Sequence, residues 1–240
     1  MKIDPLYLLP NLFTGASIYL GVLSIAYAFV ERFEIACWLI LISLIFDGLD
    51  GRIARLTGTT SRFGVEFDSL ADIVAFGVAP AIILFFYGGY NYGKFGIVIA
   101  GLYVVFGAIR LARFNVTTNH NEPNMFIGLP IPSAAVFIVG WLLFEINFSK
   151  TYPEISEYIL KFLIISSLLV ALLMVSNVRY PSFKKMNFEK VNFGKIVVLL
   201  MIILAILFIY PIYTIVVGIT CYVLFGPLRT FYHLLKKRFT

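Results

Sequence analysis

The chain has 240 residues, of which 60% are hydrophobic and only 13% charged, with a mean hydropathy of +0.93. Soluble domains carry about 25% charged residues, so the composition excludes an ordinary soluble domain and leaves no stretch for one between the apolar runs. The net charge of +6 reads as membrane topology and attraction to anionic lipid, not as nucleic-acid binding.

A spanning helix needs roughly 20 apolar residues. Segments 11–30, 34–56, 64–87, 95–115, 130–148, 157–178, 193–210 and 212–232 meet that length or nearly so. The first follows Met1–Pro5 and runs on at full spanning length, so no cleavable signal is expected. Ahead of it, Pro5–Pro10 either lies along the interface or is the frayed start of the helix. Residues 196–228 form one apolar run, about 50 Å long as a helix and too long for a single crossing. Pro211 near its middle lacks a donor, which favours a turn there; one kinked span is the alternative. Cys37 and Cys221 sit in apolar runs and read as packing residues. His120 and His233 show no ligand spacing.

Charge orients the segments. With eight spans, fifteen of the nineteen lysines and arginines fall on the side shared by both termini, leaving Arg32, Lys94, Lys150 and Lys161 opposite. The positive-inside rule puts the termini in the cytoplasm. The expected fold is an all-α, polytopic integral membrane helical bundle of about eight transmembrane helices, with both termini cytoplasmic. We expect one domain over 1–240, with a motif core at 47–72 and two extra C-terminal helices within 193–232. It would sit in the cell membrane. The inside loops 116–129 and 179–192 are the candidates for substrate gating.

Four aspartates interrupt this apolar background. Asp47 and Asp50 are three apart on the second segment, and Asp68 and Asp72 four apart on the third. Each pair shares a helix face. The polar linker Thr57–Arg62 is short, so the helices return antiparallel and the pairs can converge. Four converging carboxylates repel unless a cation joins them, and hard oxygen donors select Mg²⁺, Mn²⁺ or Ca²⁺. Intramembrane acids are costly and mark function. A cation transporter is one alternative, but its acids should lie near the midplane, whereas Asp50 is about 9 Å from the inner end of its helix.

The spacing D-x-x-D-G-x-x-A-R, eight residues, then G-x-x-x-D-x-x-x-D resembles the signature of the CDP-alcohol phosphotransferase family. Asp47, Asp50, Gly51, Ala54, Arg55, Gly64, Asp68 and Asp72 match its fixed positions. The resemblance implies transfer of a phosphoalcohol from a CDP-linked donor to an acceptor hydroxyl, with release of CMP. It implies Asp47, Asp50, Asp68 and Asp72 as ligands of Mg²⁺ or Mn²⁺, in one or two ions, and Asp72 as the group taking the acceptor proton. It also implies a homodimer. Gly51, Ala54 and Gly64 would let the nucleotide approach closely; tight helix packing is the alternative for Gly51 and Ala54. Arg55 would pair with a phosphate or a motif acid, or anchor the helix end. Asn11 and Thr14 resemble the family's P-N-x-x-T element beside the nucleotide; a helix cap is the alternative.

Three further stretches resemble the phosphatidylserine synthase branch: Arg110-Leu-Ala-Arg113-Phe-Asn115, Phe126-Ile-Gly128-Leu-Pro130-Ile-Pro132, and Arg179-Tyr-Pro181-Ser182. The implied substrates are a CDP-diacylglycerol-type lipid and L-serine. Arg110 and Arg113 could hold the serine carboxylate and a lipid phosphate, Asn115 the ammonium and Arg179 a phosphate; membrane anchoring is the alternative for the arginines. Other acceptors, glycerol phosphate or inositol phosphate, and an ether-lipid donor as in an archaetidylserine synthase, stay open. The resemblance fades over the last two segments.

Overall fold

The structure is a computed structural model that describes residues 5–117, 125–181 and 193–238. Residues 118–124 and 182–192, which hold half of the first candidate gating loop and most of the second, with His120, Lys184, Lys185 and Lys190, lie outside the described residues, as do Met1–Asp4 and the last two. Helices dominate: α1 (Pro5–Phe29), α2 (Phe33–Leu56), α3 (Arg62–Asp72), α4 (Ala79–Tyr87), α5 (Lys94–Thr117), α6 (Ile131–Phe148), α7 (Pro153–Val175), α8 (Phe193–Ile209) and α9 (Pro211–Arg238). Among the described residues, six helices are long and apolar enough to cross a membrane, the continuous helix Arg62–Tyr87 counting as one. The fold is thus a polytopic membrane bundle, as expected. α2 falls outside that set because of its charges, and α8 is only 17 residues long.

Small residues set the packing. Lipid tails are as apolar as leucine, so helices associate through close backbone approach. Ala71, Ala75 and Ala79 are fully buried, and a Cβ on Gly21 would come within 2.9 Å of the Ala75 Cα. α1 therefore lies directly on the third span. The alanine stripe is used within one chain, whereas Ala112 on α5 stays exposed.

The third span is not a uniform helix. Between α3 and α4, Ile73–Val78 form a π-helical turn. Pro80 lacks the N–H that would bond the Phe76 carbonyl four residues back. Tyr103 of α5 supplies a donor instead, its hydroxyl 3.0 Å from Phe76 O. A freed carbonyl in a membrane needs such a partner.

Two short strands, β1 (Met125–Ile127) and β2 (Arg179–Pro181), pair antiparallel with Phe126 opposite Tyr180. This ladder joins the chain before α6 to the chain after α7. Gly128 closes it at φ +77°, donating its N–H to Val178 O at 2.8 Å. A Cβ there would lie 2.2 Å from Met174 O. Gly128→Ala is expected to destabilise the bundle by at least about 1–3 kcal/mol. A lower thermal unfolding midpoint in detergent would register it; an unchanged midpoint would contradict this packing.

The last two helices resolve the long apolar run. β2 lies at the same end of the bundle as the start of α6. Tyr213, early in α9, packs on Phe144 near the other end of α6, ring centroids 5.7 Å apart. The chain thus passes from one end of the bundle to the other between Pro181 and Tyr210, and α9 brings it back. At its return Tyr180 donates its hydroxyl to Val223 O at 3.1 Å. Pro211 marks the break between two segments rather than a kink in one. The start of α1 and the end of α9 share one end of the bundle. At the opposite end, buried Glu145 of α6 accepts hydrogen bonds from Tyr87 and Ser156, tying α4, α6 and α7 together.

Candidate active site

The connection from α2 to α3 is built to turn the chain back. Thr57 donates its N–H and its hydroxyl to Ile53 O, at 2.9 and 2.8 Å. Gly58 adopts φ +67°, a left-handed conformation that closes a helix end. Ser61 then caps α3, its oxygen accepting the Gly64 N–H at 3.0 Å, a typical N-terminal cap. The last turns of α2 and the first turns of α3 are thereby held side by side.

This turn brings the two aspartate pairs together. One carboxylate oxygen from each of Asp47, Asp50 and Asp68 lies within 4.8 Å of the others. Asp72 completes the set, its carboxyl within hydrogen-bond reach of Asp47. Asp50 and Asp72 are buried. Asp50 is pinned by Thr14 of α1, whose hydroxyl donates to Oδ2 at 2.6 Å. Asp47 Oδ1 and Asp72 Oδ1 are buried with no hydrogen-bond partner. Arg55 faces Asp50, and Arg110 faces Asp72. Two guanidinium groups do not balance four carboxylates, and like charges this close repel strongly at low dielectric. Orphaned buried oxygens, an all-carboxylate donor set and uncompensated negative charge all fit a hard divalent cation. The cluster could hold a divalent metal.

Thr14 acts on that set from outside it. Thr14→Ala leaves the Asp50 carboxylate without its orienting donor, and such a loss typically costs 10–100-fold in metal affinity. Titrating activity with Mn²⁺ should show a half-saturation shifted by that factor; an unshifted titration would separate Thr14 from the metal site.

Beside the acids lies a cavity of about 180 Å³. The expected nucleotide residues Asn11, Thr14, Gly51, Ala54, Arg55 and Gly64 all line it, along with Asp50 and Asp68. Glycine keeps the walls open. A Cβ on Gly64 would approach Ser61 Oγ to 3.2 Å and Asn11 Oδ1 to 3.7 Å. Arg55 folds back along Gly51, its Nη1 3.4 Å from where a Cβ would sit. Thr59, Thr60 and Ser61 also line the cavity. Sequence reading assigned them no role, although a serine three residues ahead of Gly64 at a helix start is a recognisable cap.

The arginine pair divides. Arg110 is buried, stacks over Phe114 with its guanidinium carbon 5.3 Å from the ring centroid, and faces Asp72. Arg113 points elsewhere. Its Nη2 donates to Ile127 O at 3.1 Å and Ser176 O at 3.0 Å, and its Nη1 to Val175 O at 3.1 Å and Asn177 Oδ1 at 3.4 Å. It caps the C-terminal carbonyls of α7, where a cation also complements the helix dipole. Asn115 donates to Ser69 Oγ at 3.0 Å, which ties α5 to α3. Arg179 lies exposed on β2.

The chain is similar to known proteins over the stretch that holds this site. The family model described as CDP-alcohol phosphatidyltransferase matches residues 7–165. A Helicobacter pylori (strain 26695) protein named CDP-diacylglycerol–serine O-phosphatidyltransferase is 55% identical over 165 residues, covering 69% of this chain and 70% of the relative. A Mycobacterium tuberculosis (strain H37Rv) protein of the same name is 38% identical over 150 residues, 60% of this chain and 52% of its own. An archaetidylserine synthase of Methanothermobacter thermautotrophicus is 40% identical over 144 residues, 59% of this chain and 60% of its own. The family match takes in the whole aspartate turn and the cavity beside it, and the chain belongs to the CDP-alcohol phosphatidyltransferase family.

Proposed function

We propose that the protein transfers a phosphatidyl group from CDP-diacylglycerol to the hydroxyl of L-serine, giving phosphatidylserine and CMP. The observation that carries this reading is the four-aspartate turn, in a chain 55% identical to a relative named for the same reaction. Asp47, Asp50, Asp68 and Asp72 offer enough oxygen donors for one or two ions, and we assign Mg²⁺ or Mn²⁺, with Ca²⁺ able to occupy the set. When bound, the metal neutralises pyrophosphate charge and steadies the leaving phosphate.

The chain's own residues do the rest. Gly51, Ala54 and Gly64 give the nucleotide a close fit, with Asn11 and Arg55 at its edge. Arg110 lies on the acceptor side and offers a guanidinium fork to a carboxylate. Asp72, facing Arg110 and with one oxygen unpartnered, takes the serine hydroxyl proton. The serine oxygen forms a bond to the lipid-bearing phosphorus as the bond from that phosphorus to CMP breaks. Attack is direct, so no covalent phosphoryl-enzyme forms. Arg113, Asn115 and Arg179 remain residues assigned by resemblance to the serine or phosphate end. The excess of basic residues at the site end supports an active site facing the cytoplasm of the cell membrane. We assign one domain and a homodimer.

A second reading keeps the acceptor and replaces the donor by an ether-linked lipid; the 40% identity to an archaetidylserine synthase favours it. Purified protein given each labelled acceptor in turn decides the matter. Label from L-serine should enter lipid with CDP-diacylglycerol as donor. Transfer only with the ether donor selects the second reading. Transfer only to glycerol 3-phosphate, inositol or inositol phosphate overturns the assigned acceptor.

A further inference from the structure

Helix α9 lies beyond the residues that the family model matches, yet it reaches the acceptor side of the site. Tyr222, on its site-side half, stacks near Tyr180 with ring centroids 5.5 Å apart. Its hydroxyl lies 3.4 Å from Pro181 O and is hydrogen-bonded to the Ser133 side chain. The phenol faces the Arg110 guanidinium, whose charged neighbours are Asp72 and Arg113. One file of polar groups therefore runs from Asp72 through Arg110 to Tyr222 and Ser133. Beyond it opens a groove of about 550 Å³ between α6 and α9. Ser133 and Tyr222 line it together with Phe126, Pro130 and Pro181.

The chemistry of this file is specific. A free amino acid carries a carboxylate and an ammonium on one carbon. Arg110 is donor-only and can bind the carboxylate. A phenol oxygen and a serine hydroxyl offer lone pairs and can bind the ammonium. Without α9 the file ends at Arg110 and Ser133, with no phenol to complete it.

We propose that Tyr222 is an acceptor-selecting residue: with Ser133 it binds the ammonium of the incoming amino acid while Arg110 holds its carboxylate. The inference rests on the serine-transferase reading above. It gives the C-terminal helix a role in choosing the acceptor rather than only in closing the bundle.

The test compares wild type with Tyr222→Phe, which keeps the ring against Tyr180 and removes only the hydroxyl. A hydrogen bond to a charged group contributes about 1.5–3 kcal/mol, so KM for L-serine should rise roughly 10-fold or more. KM for CDP-diacylglycerol and kcat at saturating serine should move less than about twofold. Wild type should prefer L-serine to 3-hydroxypropionate, which has the hydroxyl and carboxylate but no ammonium, and the variant should lose most of that preference. A merely structural tyrosine would not move that ratio. Ser133→Ala serves as the second variant and should shift it the same way. Wild-type activity with serine but unchanged KM and preference in both variants overturns the inference alone. Absence of serine-dependent CMP release in wild type overturns the serine reading, and the inference with it.

Discussion

Asp72→Asn lowers serine-dependent CMP release by roughly 10²- to 10⁴-fold, the range expected for loss of a positioned general base. The carboxylate lies within hydrogen-bond reach of Asp47 and in the field of Arg110, with one oxygen buried and unpartnered. Asparagine fills the same space and can still meet Asp47, so the bundle keeps its fold. It cannot accept the serine proton. The loss should fall on kcat, with KM for CDP-diacylglycerol changed little. A variant retaining more than a tenth of wild-type kcat would remove Asp72 from the proton-taking role.

Asp47→Asn separates stability from activity. Asp47 lies in the three-carboxylate group and also touches Asp72. Without a cation these groups repel, and an amide at position 47 relieves that repulsion while donating to Asp72. In chelator the variant should therefore melt no lower than wild type, and higher if the repulsion is large. Its function moves the other way. Loss of a direct carboxylate ligand should weaken metal binding by more than the 10–100-fold typical of an outer partner, and activity should return only in part at high Mn²⁺. Such opposition between stability and activity is expected where an active site gathers like charges. A variant that melts lower in chelator and binds Mn²⁺ normally would contradict the placement of Asp47.

Much of this was legible in the sequence. Apolar length located each long helix to within a few residues in most cases, because the bilayer sets that length and little else competes. The aspartate turn was legible because i,i+3 and i,i+4 spacings on two helices and a short polar linker leave few other arrangements. Asn11, Thr14, Gly51, Ala54, Arg55 and Gly64 of the cavity were named from the family resemblance, whereas Thr59, Thr60 and Ser61 were not. Other features depend on contacts no local pattern encodes. The π-helical turn before Pro80 is recognisable only once Tyr103 is seen to meet the Phe76 carbonyl. The strand pair at 125–127 and 179–181 joins segments more than fifty residues apart. Arg110 and Arg113 look equivalent by spacing, but one faces the acids and the other caps α7. Tyr222 gave no signal at all, since only the return of α9 brings it to Arg110.

The most direct test is CMP release by purified protein in detergent with CDP-diacylglycerol and Mn²⁺, with and without L-serine, with and without chelator. The account predicts release that needs both serine and the metal, one CMP for each phosphatidylserine formed. Release that persists in chelator, or that proceeds equally without serine, would contradict it.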